Sequence, residues 1–243
     1  MSTINNRIVV VTGAGTGIGR GIALSFAQEG AKVALIGRRI EKLKESSEAM
    51  PHGSSLVCPC DVSDREAVNE TMSRIALELG SVDVLVNNAG VNTNPRNIGD
   101  VSPEDWDKTI AVNLTGVFNC TKAVLPGMRE KQDGLIINIS SIAGIRTSEL
   151  AGAAYSAAKH GVVSLSYTIN QEEGEHGIRG CTICPGEVDT PIMDGRPVVP
   201  DAQQRKRMLK PEDIGAAAVF VARLPARATV PLMVVNPAVN KFG

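Results

Sequence analysis

Tyr155 and Lys159 stand four residues apart, a spacing that sets a phenol and an ammonium on one face of a helix. A phenol with a pKa of about 10 is a poor base at neutral pH, but a nearby cation favours the phenolate, so the pair is suited to moving a proton. The spacing alone also fits an ordinary surface pair. Context comes from Ser141, which closes the apolar run Leu135–Ile139 about one loop before Tyr155. A hydroxyl there can hydrogen-bond a carbonyl oxygen that becomes an alkoxide; Ser140 is a rival for the role. Asn113 follows within a helical stretch that begins near Pro103, and Asn87-Asn88-Ala89-Gly90 closes another apolar run with small residues.

A second group of residues is built to receive phosphate. The apolar run Ile8–Val11 leads into Thr12-Gly13-Ala14-Gly15-Thr16-Gly17-Ile18-Gly19-Arg20, and then into an Ala/Leu/Phe helix. Glycines in such a turn let a pyrophosphate approach the backbone, where a helix N-terminus offers free N–H groups and partial positive charge. The glycines fall as G-x-x-x-G-x-G, which differs from the G-x-G-x-x-G dinucleotide fingerprint. At the end of the next apolar run the chain reads Ile36-Gly37-Arg38-Arg39, with no acidic residue for an adenosine 2′-hydroxyl. Arg38, with Arg39, would instead pair with a 2′-phosphate, which favours NADP(H) over NAD(H). The bland alternative is that both arginines begin a solvated helix.

These residues need a scaffold, and the periodicity supplies one. Short apolar runs at Ile8–Val11, Val33–Ile36, Leu56–Cys58, Val82–Val86, Leu135–Ile139 and Cys181–Cys184 read as strands. Helical stretches follow at Ile18–Gln28, Glu41–Glu48, Arg65–Leu79, Pro103–Met128 and Ala154–Glu173, with a last helix near Pro211–Arg223. Runs that are apolar throughout are what strands covered on both faces look like. The expectation is a single α/β domain over residues 1–243, a doubly wound parallel sheet of the Rossmann type, with functional loops at the carboxyl ends of the strands. The segment from about 187 to 210 contains the irregular stretch Pro191–Pro200 and sits where a lid over the site would be.

Taken together, these motifs resemble the short-chain dehydrogenase/reductase family, from about Arg7 to the C-terminus. The matching residues are Thr12-Gly13-x-x-x-Gly17-x-Gly19, Asp61-Val62, Asn88-Ala89-Gly90, Asn113, Ser141, Tyr155-x-x-x-Lys159, and Pro185-Gly186 followed by Thr190. The resemblance implies that Tyr155 acts as acid in reduction and base in oxidation. Lys159 would hold the nicotinamide ribose and lower the Tyr155 pKa, Ser141 would orient the substrate oxygen, and Asn113 would shape its helix and support a water relay. It also implies adenine contacts from Asp61 and Val62, a cofactor channel lined by Asn88, Ala89 and Gly90, and a carboxamide end held by Pro185, Gly186, Val188 and Thr190. The C-terminal stretch lacks the acidic-Gly-Gly tail common in the family's 3-oxoacyl thioester reductases. It looks more like the branch of NADP-dependent 3-hydroxy acid and serine dehydrogenases. A homo-oligomer, dimer or tetramer, is implied by resemblance alone; a dinucleotide-binding regulator without catalysis is the alternative of another class.

Bulk properties narrow the remaining classes. A formal net charge of −1, with both signs intermixed, offers no basic stripe for nucleic acid. No apolar run reaches membrane-span length and the first residues lack a secretory pattern, so a cytoplasmic protein with a small-molecule substrate is expected. Cys58, Cys60, Cys181 and Cys184 could in principle offer four thiolates to zinc, but both pairs read as buried strand ends, and no metal is expected. Arg96, Arg146 and Arg196 fall in loops expected around the substrate, where a guanidinium could clamp a carboxylate; surface arginines are as common there. Trp106 is expected to pack or face a neighbouring subunit, and Arg205-Lys206-Arg207 to form a solvated face of the lid helix.

Overall fold

A computed structural model describes residues 3–147 and 149–240. Seven strands form one parallel sheet: β1 (Ile8–Thr12), β2 (Lys32–Gly37), β3 (Ser55–Pro59), β4 (Val84–Asn87), β5 (Gly134–Ile139), β6 (Ile178–Pro185) and β7 (Leu232–Val235). Their spatial order is β3-β2-β1-β4-β5-β6-β7, so the winding reverses between β1 and β4. Crossing helices are α1 (Gly17–Gln28), α2 (Ile40–Glu48), α3 (Arg65–Glu78), α4 (Pro103–Ile110), α5 (Gly116–Lys131), α6 (Ala153–Glu173), α7 (Ala202–Arg207) and α8 (Pro211–Ala222).

The apolar strands are explained by where alternate residues point. Val9 and Val11 of β1 join Val33, Leu35, Val84 and Val86 against Ile22 and Phe26 of α1 and Ile214 and Ala218 of α8. Val10, Ala34, Ile36 and Leu85 turn the other way, onto Val68, Met72 and Ile75 of α3 and Val124 and Met128 of α5. With both faces buried, successive strand positions are apolar, and the period-two signal disappears. Caps set helix starts where the sequence provides them: Asp64 accepts from Glu66 N and Ala67 N ahead of α3, and Ser102 accepts from Asp105 N ahead of α4.

Three details go beyond these expectations. The helical region expected from Pro103 to about Met128 is helical throughout, but it widens into a π turn over Ala111–Thr115, where the Asn113 side chain bonds the backbone of Val91. Strand β7 lies outside the expected strands; it is four residues long and half-buried, too short for a pattern. The irregular stretch Pro191–Pro200 opens on a 3-10 turn at Pro191–Gly195, and the helix expected to carry Arg205–Arg207 is α7, whose Asp201 and Gln204 form a capping box.

The strand order also settles the cysteines' geometry. Cys58 on β3 and Cys181 on β6 are separated by five inter-strand steps, roughly 24 Å at the usual spacing, so the two pairs cannot share one metal. Burial pushes the Cys58 thiol up to about 11 and the Cys181 thiol up to about 12, which suits small apolar residues.

Candidate active site

A cavity of about 780 Å³ opens at the carboxyl ends of the strands, on the reversal between β1 and β4. There, neighbouring crossovers leave on opposite faces and a crevice is unavoidable. Its first end is the Gly-rich turn. The Thr12 hydroxyl accepts from the backbone N–H of Asn88 (2.9 Å) and of Ala89 (3.0 Å), while Asn88 Nδ2 donates to Thr12 O at 2.9 Å. The turn is thereby clipped to the end of β4. Gly13 has φ +66°, and a Cβ on Gly19 would fall 2.3 Å from Gly13 O and 2.4 Å from Asn88 Nδ2. Only a chain with no side chain at Gly19 can pass there. We expect Gly19→Ala to weaken dinucleotide binding at least about tenfold by forcing this crossing apart; an unchanged Kd by fluorescence titration would refute that role.

Gly13, Thr16, Gly17 and Ile18 line the cavity; Gly19 stands behind them as a spacer. Arg38 and Arg39 border the same end, with Arg39 donating to the Thr16 hydroxyl at 3.3 Å. Arg38 lies 3.7 Å from Asp61, both substantially exposed. Burial works against the Asp61 charge, but two hydrogen bonds from Ser63 and the Arg38 guanidinium outweigh it and hold the carboxyl below the ordinary aspartate range. Val62, Asn88, Ala89 and Gly90 continue the lining. Beyond β6 come Pro185, Gly186, Val188 and Thr190, and Thr190 packs on Gly17, 3.2 Å from where a Cβ would be. A glycine turn at a helix start, cations at the end of β2 and a channel of small residues fit a nicotinamide dinucleotide.

Tyr155, Lys159 and Ser141 meet at the other end. Tyr155 and Lys159 lie one turn apart on α6. Lys159 is buried and donates from Nζ to Ile139 O at 2.8 Å, with Nζ 5.5 Å from the centre of the Tyr155 ring. Removal from water pushes the Lys159 ammonium down to about 8. Removal from water raises the Tyr155 phenol above its ordinary value, and the neighbouring Ser141 side chain and the charges of Arg196 and Arg96 pull the other way. The pull expected from Lys159 is replaced by that of the two arginines, its ammonium being turned to the Ile139 carbonyl. The two serines are now distinguished. Ser140 donates to Lys159 O at 2.9 Å and fixes α6, whereas Ser141 reaches Tyr155 and caps the turn Ile142–Gly144 through Ala143 N.

Asn113 does not line the cavity. It is fully buried, accepting from Val91 N and donating to Val91 O, both at 2.8 Å, which fixes the chain just after Gly90. The three arginines also separate. Arg146 is exposed at the rim, Arg196 pairs with Glu187 at 2.6 Å, and Arg96 is buried. Arg205 departs from the solvated-face expectation: it bonds Asp189 at 3.0 Å and also Asp194, tying α7 to the segment that follows β6. Glu187 and Asn236 line the cavity and were not foreseen, since neither belongs to a motif and β7, which delivers Asn236, carries no periodic signal.

Fold and site together define a nicotinamide dinucleotide oxidoreductase. The sequence profile of the short chain dehydrogenase family matches residues 7–197, and the chain belongs to that family. It is 35% identical to an uncharacterized oxidoreductase of Staphylococcus aureus (strain MRSA252) over 237 residues, 98% of this chain and all of the relative. Among solved structures it is similar to the closed form of serine dehydrogenase complexed with NADP+, at 32% identity and TM-score 0.87, covering 97% of this chain and 96% of the other. It is similar also to 3-ketoacyl-(acyl-carrier-protein) reductase from Brucella melitensis complexed with NADH, at 28% identity and TM-score 0.87, covering 96% and 97%. The protein is an NAD(P)-dependent oxidoreductase acting on CH–OH groups.

Proposed function

We propose that the protein interconverts a carbonyl and a secondary alcohol on a small molecule, using NADP(H), with Tyr155 as the group that gives or takes the proton. The observation that carries this reading is the convergence of Tyr155, Ser141 and Lys159 in the same cavity as the Gly-rich turn. When bound, the nicotinamide supplies or accepts the hydride. Ser141 orients the substrate oxygen and Tyr155 delivers its proton to that oxygen in reduction, so that negative charge never accumulates there. Lys159 holds the nicotinamide ribose, and Asn113 keeps the channel wall at Val91 in place. Asp61 and Val62 hold the adenine, Asn88 to Gly90 the channel, and Pro185 to Thr190 the carboxamide end, while residues 187–210 cover the substrate. Incubation with NADPH and a panel of aldehydes, keto acids and 3-oxoacyl thioesters tests the reading; cofactor binding with no turnover on any of them would favour a regulator.

The cofactor preference rests on Arg38 and Arg39, both at the cavity edge, with no acidic residue at the end of β2. NADPH is expected to bind at least about tenfold more tightly than NADH, and Arg38→Ala to remove most of that difference. Tighter binding of NADH by the unaltered protein would refute the argument. Among the described residues no helix is long and apolar enough to cross a membrane. The same reading places the protein in the cytoplasm as a homo-oligomer, dimer or tetramer; exposed Trp106, Phe118 and Tyr167 are candidates for subunit contacts.

A further inference from the structure

Arg96 combines burial with a charge that nothing in the described chain neutralises. The residue is 8% exposed and lines the cavity. Nη1 donates to Leu150 O at 3.1 Å and Nη2 to Gly195 O at 2.8 Å; Nε has no hydrogen-bond partner among the described residues. No carboxylate among them forms an ion pair with it; burial and the like charge of Arg196 work against its charge, and Tyr155 favours it. A guanidinium does not lose its proton at any working pH, so the folded chain carries a buried cation at a cost that only an arriving anion relieves.

The position is built rather than incidental. Arg96 O accepts from Ala153 N at 3.1 Å, at the start of the helix that carries Tyr155. Gly152, with φ +81°, lies so close that a Cβ there would meet Arg96 O at 2.5 Å and Arg96 Cβ at 2.6 Å. Any other residue at Gly152 would displace the arginine. The guanidinium is therefore held between three segments that converge on the reacting group: the loop after β4, the loop before α6, and the lid at Gly195. Arg196 does not compete for an anion, since Glu187 already neutralises it at 2.6 Å.

We propose that Arg96 is the specificity-determining residue of this site and that the substrate is a monocarboxylate, a hydroxy acid or oxo acid whose carboxylate pairs with Arg96 while its alcohol or carbonyl oxygen lies at Tyr155. One uncompensated cation calls for one negative charge, and a planar carboxylate matches the guanidinium fork. This inference rests on the oxidoreductase reading of the same cavity, and binding can test it without turnover.

The experiment titrates NADP+-loaded protein with straight-chain 3-hydroxy acids of three to six carbons and with their methyl esters, for the unaltered protein and for Arg96→Met. At least one acid is expected to bind about tenfold or more tightly than its ester, and Arg96→Met to remove that difference while leaving ester and NADP+ affinity unchanged. Arg96→Lys, which keeps the charge, should restore part of the acid preference if Met disturbs the fold. Equal binding of acid and ester, no binding of any acid, or equal loss of both in Arg96→Met overturns the inference. Failure of the oxidoreductase reading would look different: acids would still bind selectively, without turnover.

Discussion

Tyr155→Phe is expected to lower kcat by at least about 10³-fold in either direction, while the Kd of the nicotinamide dinucleotide moves by less than about threefold. The substitution removes one oxygen and keeps the ring that packs beside Lys159, so the loss is of proton transfer, not of shape. Steady-state rates and a fluorescence titration of the same preparation separate the two effects. A variant that kept a tenth of the activity would end the assignment of Tyr155. The direction of its pKa adds a pH signature. With the phenol held above its ordinary value, reduction should be level through neutral pH and fall only in alkali, whereas oxidation should rise with pH.

Lys159→Met is expected to abolish useful turnover and yet stabilise the protein without cofactor near neutral pH, by about 3 kcal/mol. The ammonium sits at about 8 in the folded chain against an ordinary value of 10.5, so below pH 8 the folded state holds a buried charge that the unfolded state solvates freely. Between pH 8 and 10.5 the unfolded chain binds the proton and the folded chain does not, and the stability of the unaltered protein should rise with pH across that window. Methionine has nothing to titrate, so the gap between variant and parent in denaturant midpoint should close as the pH climbs. A gap that stayed constant from pH 7 to 10.5 would show that the lysine is not held at the depressed value. The carbonyl of Ile139, which loses its donor in the variant, offsets part of the gain.

The sequence was readable wherever one residue type is demanded by the backbone or by a fully buried layer. Val9, Val10 and Val11 announce a strand because neighbours on both sides are apolar, and Gly13 and Gly19 announce the cradle because no side chain fits their crossing. Tyr155 and Lys159 were legible as a pair through helical spacing. Their electrostatics were not, because the charges that act on Tyr155 belong to Arg96 and Arg196, fifty-nine and forty-one residues away along the chain. The three loop arginines looked alike until Glu187 claimed one and burial singled out another. The π turn at Asn113 and the strand β7 were hidden for a related reason. Each depends on a partner, Val91 in one case and β6 in the other, that local propensity does not encode.

The two ends of the segment after β6 are stitched together where Val188 bridges Leu209, with Leu209 N donating to Glu187 O and Asp189 N to Leu209 O at 3.0 and 2.9 Å. The segment between them is therefore closed into a loop by its own ends, outside the strands of the sheet. Closing a loop costs only slowly more as it lengthens, so this chain could gain or lose residues between Val188 and Leu209 at little thermodynamic penalty. Relatives that differ in length between Gly195 and Leu209 can thus keep the same sheet and the same cavity floor, exchanging this loop as a cassette.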